Sequence, residues 1–348
     1  MTGPIRVLVA DDSPVVRLLL TRILQSDPRL RVIGTAADGA EAVAMARSLR
    51  PDVITMDIVM PRMDGFSASR RIMETVPTPI VIVTGTADVR EVRTAFAAME
   101  AGALACLEKP PGPESPDFPR ASAELVRTVR AMAGVRVIRR RPRRAVAPEP
   151  VPELGGVRVR AIGIGASTGG PVALRELLGG LPPDAAIPVL IVQHIAAGFL
   201  EGFADWLSRA SGRTVGVARD GEELVPGMIR VAPDGRHLAL GPDGRLRLTA
   251  APPEHGVRPS ASVLLRSLRE TLGGRAAGVL LSGMGTDGVD ELARLRAAGG
   301  LTAVQDPESA LVNGMPGAAV LAGGAEHVLP PAAIGALLGA LTADDLER

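Results

Sequence analysis

Residues 161–171 read AIGIGASTGGP, after a β-branched run and before VALRELL, so a strand, a glycine-rich turn and a helix follow one another directly. Three readings compete for the turn: a cradle for a nucleotide phosphate, a plain helix start, or a mount for a nucleophile. The first fails on spacing. The glycines run Gly163-x-Gly165-x-x-x-Gly169, whereas the dinucleotide fingerprint is G-x-G-x-x-G with an acid closing the next strand. Here the next strand, PVLIVQHI, closes in Gln193 and His194. There is no phosphate loop of the G-x-x-x-x-G-K-[ST] kind either, because the one lysine of the chain, Lys109, lies in the other half. The helix-start reading stays open on local evidence, with Ser167 or Thr168 as cap for a helix beginning near Pro171.

The nucleophile reading draws on what converges. From Val157 onward strands (VRAIGIGA, IPVLIVQH, IRVAPDG, RLRLT, GVLLSGM, TAVQD) alternate with helical patterns (PVALRELLGGL, GFLEGFADWLSRAS, SASVLLRSLRETLG, DELARLRAAG, MPGAAVLAGG). Such alternation implies a parallel sheet. Ser167, His194 and Asp287, the last in the turn SGMGTDG, each follow a strand, where a parallel sheet gathers them. A serine hydroxyl needs a base to become a nucleophile. His194 can supply that base, and Asp287 can orient the imidazole. Backbone N–H groups at the start of the following helix suit a developing oxyanion, and the glycines let substrate approach the backbone closely. Taken alone, His194 reads as a strand-end histidine and Asp287 as the N-cap of GVDELARL. His237, His255 and His327 fall in loop-like contexts and receive no role, and no zinc-ligand spacing occurs.

The first half alternates in the same way. Strands IRVLVA, RVIGTA, DVITMD, PIVIVTG and ALACLE are separated by helical segments, with Ser13 as N-cap and Pro14 at the first helical position of one and DVREVRTAFAAMEA as another. ASAELVRTVRAMAG closes the set. The carboxyl ends of the strands carry Asp11 and Asp12, Asp57, Thr84 and Lys109. Open parallel sheets bind ligands outside those ends. Three carboxylates there repel one another and attract a hard divalent cation, beside which Asp57 can accept a phosphoryl group. Lys109 and the Thr84 hydroxyl would then hold the new phosphate. Between the halves, residues 135–156 are rich in Arg and Pro and read as an extended basic tether, with Arg139, Arg140, Arg141, Arg143 and Arg144.

Composition sets limits. The chain has 348 residues, enough for two domains, and is 46% hydrophobic. A net charge of +1 gives no global attraction to nucleic acid or anionic lipid. The single cysteine, Cys106, forbids an internal disulfide framework, making a cytoplasmic setting the expectation. The opening MTGPIRVLVADD reaches two acids before any long apolar run, so no signal peptide is expected. No apolar stretch approaches the ~20 residues of a membrane span, and no membrane insertion is expected.

ADDS, MDIVMPRMDG, the threonine of VTGT and the KP after GALACLE resemble the receiver domain of two-component response regulators, over residues 4–134. The resemblance implies a flavodoxin-like fold and phosphorylation of Asp57 by a histidine kinase. It also implies Mg²⁺ held by Asp11 or Asp12, Asp57 and the Val59 carbonyl, and a cis Lys109–Pro110 peptide. Receivers usually carry an aromatic where this chain has Cys106, and the chain has no tyrosine. Cys106 reads as a small buried hydrophobe.

GASTGGP, VQHI and SGMGTDG, with RVAPDGRHL, RPSASVLL and NGMPGAA, resemble the catalytic domain of chemotaxis protein-glutamate methylesterases of the CheB type, over residues 158–339. That resemblance implies a receiver at 1–134, the linker 135–156 and, at 157–348, a doubly wound, mainly parallel, Rossmann-like α/β hydrolase. It implies hydrolysis of glutamyl methyl esters, and deamidation of glutamines, on chemoreceptor cytoplasmic domains. Ser167 is then the nucleophile, His194 the base, Asp287 the orienting acid, the Met284 N–H the oxyanion donor and Thr168 a supporting residue. Phosphodonor kinase and methylated receptor are the implied partners. No nucleic acid, no cofactor for the ester chemistry and a monomeric state are expected. The flexible linker adds the expectation that the receiver docks over the crevice and inhibits it until phosphorylated. A DNA-binding regulator, which requires a compact helix-turn-helix after the linker, fits the long glycine-rich second half poorly. A silent adaptor, whose Ser, His and Asp merely cap helices, is separated by assay of Ser167→Ala.

Overall fold

The computed structural model describes residues 3–85, 105–135, 158–195 and 198–343. The helix expected at 88–101 and all but the first residue of the linker lie outside them. The chain divides into two compact units, Met1–Arg144 and Ala145–Arg348.

In the first unit β1 (Ile5–Ala10), α1 (Pro14–Gln25), β2 (Leu30–Ala36), α2 (Gly39–Leu49), β3 (Val53–Met56), α3 (Gly65–Thr75), β4 (Ile80–Thr84), β5 (Ala105–Glu108) and α4 (Phe118–Ala133) follow in turn. The five strands pair in parallel in the order β2-β1-β3-β4-β5, the flavodoxin-like arrangement. β3 and β4 are buried along their whole length, as strands covered on both faces must be. Ser13 does cap α1, its hydroxyl accepting the Val16 N–H, with Pro14 at the first helical position. One expectation is overturned: among the described residues the only cis peptide is Arg258–Pro259, so Lys109–Pro110 is trans. Trans is the form an X–Pro bond already prefers by about 0.5–1 kcal/mol.

The second unit contains β6 (Arg158–Val159), β7 (Ala161–Ala166), α5 (Gly170–Gly180), β8 (Val189–Gln193), α6 (Leu200–Ser211), β9 (Val215–Val217), β10 (Ile229–Val231), β11 (His237–Leu240), β12 (Leu246–Thr249), α7 (Ala261–Leu272), β13 (Ala276–Leu280), α8 (Val289–Ala297), β14 (Leu301–Gln305), α9 (Met315–Leu321), β15 (His327–Leu329), α10 (Pro331–Gly339) and β16 (Thr342–Ala343). Seven strands form a wholly parallel sheet, β15-β14-β13-β7-β8-β10-β9. β11 and β12 form a separate antiparallel hairpin. The order reverses direction on either side of β7, which puts a crevice at its carboxyl end. That is where GASTGGP begins.

Six elements of this unit escape the period-based reading. The edge strands β9 and β15 have three residues each, and β6 and β16 only two, too short to show alternation; brevity also leaves few unpaired backbone groups at an edge. α10, PAAIGALLG, is apolar on nearly every side and so lacks an amphipathic period. It packs on α5 through glycine: a Cβ at Gly335 would lie 2.1 Å from the Leu177 carbonyl oxygen. β11 also stood unread, so His237, expected in a loop, is a buried strand residue, its Nε2 3.1 Å from the Pro252 carbonyl. His327 likewise lies in a strand, β15.

The glycines of β7 do not open the backbone to substrate, as the sequence suggested. A Cβ at Gly163 would fall 2.5 Å from Leu268 Cδ1, and one at Gly165 2.6 Å from Ala261 Cβ and 2.7 Å from Leu280 Cδ2. Both exist so that α7 can lie close on β7. Gly165→Val is expected to overpack this contact and destabilise the protein by about 1–3 kcal/mol. Chemical denaturation of the full chain measures it, and a midpoint unchanged from wild type contradicts the packing role.

Candidate active site

Neither Ser167 nor Thr168 caps α5. The N-cap is Gly169, at φ +81°, and no side chain bonds to the helix start. A Cβ at Gly169 would also lie 2.7 Å from Ser282 Oγ and from Leu311 Cβ. The helix-start reading therefore gives the Ser167 and Thr168 side chains no capping role. The backbone of the turn is held on all sides. Ser167 N–H donates to the Ser282 carbonyl at 3.0 Å. The Ser167 carbonyl accepts from Gly170 N–H at 2.8 Å and from Gln193 Nε2 at 2.9 Å. The Thr168 carbonyl accepts from Ser282 Oγ at 2.7 Å.

His194 comes from the neighbouring strand. Ala166 and Gln193 are the last paired residues of β7 and β8, and His194 N–H donates to the Ala166 carbonyl at 2.9 Å. His194 and Ser167 are thus the next residues out on adjacent strand ends. Among the described residues no hydrogen bond joins the Ser167 hydroxyl to the imidazole; the expected row of three is present as its His–Asp half. His194 Nε2 lies 3.0 Å from Asp287 Oδ2.

Asp287 does not cap the helix that follows it; Gly288 does, at φ +87°. The carboxylate turns instead to the start of α7. Oδ1 accepts from Ser260 Oγ at 2.6 Å and Ser262 N–H at 3.0 Å, and Oδ2 from Ala261 N–H at 2.6 Å. A helix N-terminus favours an anion. Burial opposes the charge on Asp287, yet the His194 imidazole and the Ser260 and Ser262 donors outweigh it and hold the carboxyl below its ordinary range. Ser260 was not singled out from sequence, although its place before the helical pattern of ASVLL is an N-cap signal.

The turn after β13 completes the wall. A Cβ at Gly283 would lie 2.7 Å from Ser167 Cβ, so only glycine fits there. Met284, the next residue, has a backbone N–H with no acceptor among the described residues.

In the first unit the strand ends meet as expected. Asp11, Asp12 and Asp57 offer carboxylate oxygens within 4.8 Å of one another, a set of hard oxygen donors that fits a divalent cation. Lys109 Nζ lies 2.8 Å from both Asp11 Oδ2 and Asp57 Oδ2. The Thr84 hydroxyl is buried with no partner among the described residues. Burial pushes the Asp57 carboxyl up against the pull of Lys109. Burial also draws the Lys109 ammonium down, but its bonds to the two aspartates outweigh this and leave it raised. Val59 is exposed beside the pocket. Burial pushes the Cys106 thiol up, in keeping with an inert apolar role.

Residues 162–338 match the family described as CheB methylesterase, and residues 7–115 the response regulator receiver domain. The chain belongs to the CheB methylesterase family. Protein-glutamate methylesterase/protein-glutamine glutaminase 3 of Anaeromyxobacter dehalogenans is 52% identical over 332 residues, covering 95% of this chain and 97% of that protein. Protein-glutamate methylesterase/protein-glutamine glutaminase 4 of Geobacter metallireducens is 50% identical over 332 residues, covering 94% and 96%. The crystal structure of the Thermotoga maritima CheB methylesterase catalytic domain is 34% identical, with a TM-score of 0.50, and spans 52% of this chain and 98% of that one. The chain thus joins a CheB methylesterase domain to a response regulator receiver domain, a hydrolase under response-regulator control. No helix among the described residues is long and apolar enough to cross a membrane.

Because the folded Asp287 carboxyl is held below its unfolded value of about 3.9, it stabilises the fold fully above that pH and progressively less below it. Wild type is therefore expected to exceed Asp287→Asn in stability near neutrality, with the gap closing as pH falls below about 4. Denaturant titrations of both proteins across pH test this; a gap that widens in acid contradicts it.

Proposed function

We propose that the chain hydrolyses glutamyl methyl esters, and deamidates glutamines, on chemoreceptor cytoplasmic domains, with Ser167 as nucleophile, His194 as base and Asp287 as orienting acid. The observation that carries this reading is the placing of Ser167 and His194 on adjacent strand ends with the imidazole bound to a buried, ionised carboxylate. Asp287 takes the proton-bearing Nε2 of the neutral ring, which leaves the Nδ1 lone pair as the basic atom. Nδ1 takes the proton of the Ser167 hydroxyl as its oxygen bonds to the ester carbonyl carbon. The Met284 N–H, with Thr168 shaping the facing turn, stabilises the oxyanion. The imidazolium then protonates the departing methoxide, methanol leaves, and an acyl-enzyme remains. Water gives a proton to Nδ1 and attacks the acyl carbon, freeing the glutamate and restoring the serine. An amide follows the same route and releases ammonia. No step of this route calls on a cofactor.

In the receiver, Asp11, Asp12, Asp57 and the Val59 carbonyl would hold Mg²⁺, which neutralises charge during phosphoryl transfer. Asp57 takes the phosphoryl group from a chemotaxis histidine kinase, the Lys109 ammonium pairs with the new phosphate, and the Thr84 hydroxyl donates to it. Phosphorylation adds charge at Asp57 and raises the esterase rate. A cytoplasmic setting is part of this reading, because a histidine kinase and the chemoreceptor cytoplasmic domains would be met there.

The test is methanol release from a methylated receptor fragment, with and without a small-molecule phosphoryl donor. Ser167→Ala is expected to lose on the order of 10⁶-fold in rate. Asp57→Asn should keep the basal rate and lose the response to the donor. Ser167→Ala turning over like wild type would end the serine-hydrolase reading.

A further inference from the structure

Gln193 closes β8 with its side chain 2% exposed, and no step above uses it. The β7–β8 ladder ends at its pairing with Ala166. One residue further out, where backbone pairing stops, the Gln193 side chain spans the gap. Nε2 donates to the Ser167 carbonyl at 2.9 Å and to the His194 carbonyl at 2.8 Å. Both neighbours are acceptors, so the nitrogen end of the amide must face them. Both N–H bonds of the amide are thereby spent on the nucleophile and the base. The other end has no such return: among the described residues Oε1 is buried without a partner, 2.2 Å from where a Cβ at Gly170 would be. A buried acceptor without a partner is unfavourable, and an apolar side chain of the same length would avoid it. What an apolar residue lacks is the pair of N–H donors.

We infer that Gln193 is a positioning residue for catalysis, acting as an added rung that fixes the main chain of Ser167 and that of His194 relative to each other. The inference rests on the serine-hydrolase reading. It matters because no hydrogen bond joins the two reacting side chains, so their separation is set by their backbones. On the opposite flank Ser282, itself held by Gln305 Oε1 at 2.8 Å from its N–H, fastens the Ser167–Thr168 turn to β13. Gln193 is the one described side chain that bonds the backbone of both residues.

The variants are Gln193→Met and Gln193→Glu in the full chain, assayed on methylated receptor fragment and on a small activated ester. Misplacement of reacting groups by about 1 Å can lower rates on the order of 10²-fold. Gln193→Met is therefore expected to lower kcat by about 10- to 100-fold on both substrates, with KM within about twofold. An unchanged kcat, or a loss carried by KM, overturns the inference. Gln193→Glu sets a carboxylate oxygen against two carbonyls, and protonation returns one donor. Its activity relative to wild type should therefore rise as pH falls; a flat ratio overturns the inference even where Gln193→Met does not fold. Ser167→Ala run alongside separates the failures. If it stays active the catalytic reading itself has failed, and if it is inactive while both Gln193 variants match wild type only the positioning role has.

Discussion

A carboxylate taken out of water must find bonds for its charge, and the catalytic unit is arranged around that demand at Asp287. Four donors meet it: the His194 imidazole, the Ser260 hydroxyl and the backbone N–H groups of Ala261 and Ser262. Three of these belong to the start of α7. The helix must therefore begin at the carboxyl edge of the sheet and lie tightly along β7, which is why Gly163 and Gly165 stand where a side chain would collide with it. The charge also orients the imidazole: an acceptor on Nε2 favours the tautomer that carries its proton there and leaves the Nδ1 lone pair free. Strand glycine, helix start and proton acceptor answer one electrostatic constraint.

The two units apply the same topological rule to different chemistry. Each gathers its polar side chains at the carboxyl ends of parallel strands, where the strand order changes direction. In the receiver the gathered groups are carboxylates facing one ammonium, with a buried hydroxyl unpaired among the described residues, a donor set that fits a divalent cation. In the catalytic unit most of the groups around Ser167 and His194 are paired internally; among the described residues the Ser167 hydroxyl, the Met284 N–H and the buried Gln193 Oε1 stay open. The first pocket concentrates charge of both signs; the second surrounds a single buried carboxylate with donors.

Much of this was legible in the sequence. Strand ends are marked by apolar runs giving way to acids, lysine, serine or histidine, so Asp11, Asp57, Lys109, Ser167 and His194 could be placed from the sequence. Asp287 was legible as a member of the trio but its own partners were not, because the bonds it makes run to Ser260, Ala261 and Ser262, distant in sequence. Periodicity cannot register strands of two or three residues, nor a helix apolar on every side, hence the silence over β9, β15 and α10. Glycine misled for a related reason. A glycine in a turn signals conformational freedom, but in β7 it signals the proximity of a helix, and only packing tells the two apart.

The missing hydrogen bond between the Ser167 hydroxyl and the imidazole, among the described residues, is the most informative part of the site. A hydroxyl on a short side chain can swing between staggered rotamers at little energy, so a ground state without the Ser–His bond is compatible with rapid proton transfer only if the backbones hold the two residues within reach of one such swing. The bonds around Ser167 do that: its N–H, its carbonyl with two donors and the next carbonyl are all taken, and the His194 N–H and carbonyl are fixed to the same two strands. Freedom is confined to rotation about a single side-chain bond. Pre-organisation here resides in buried amide and hydroxyl groups behind the reacting atoms, and in the ladder whose last backbone pair stops one residue short of both.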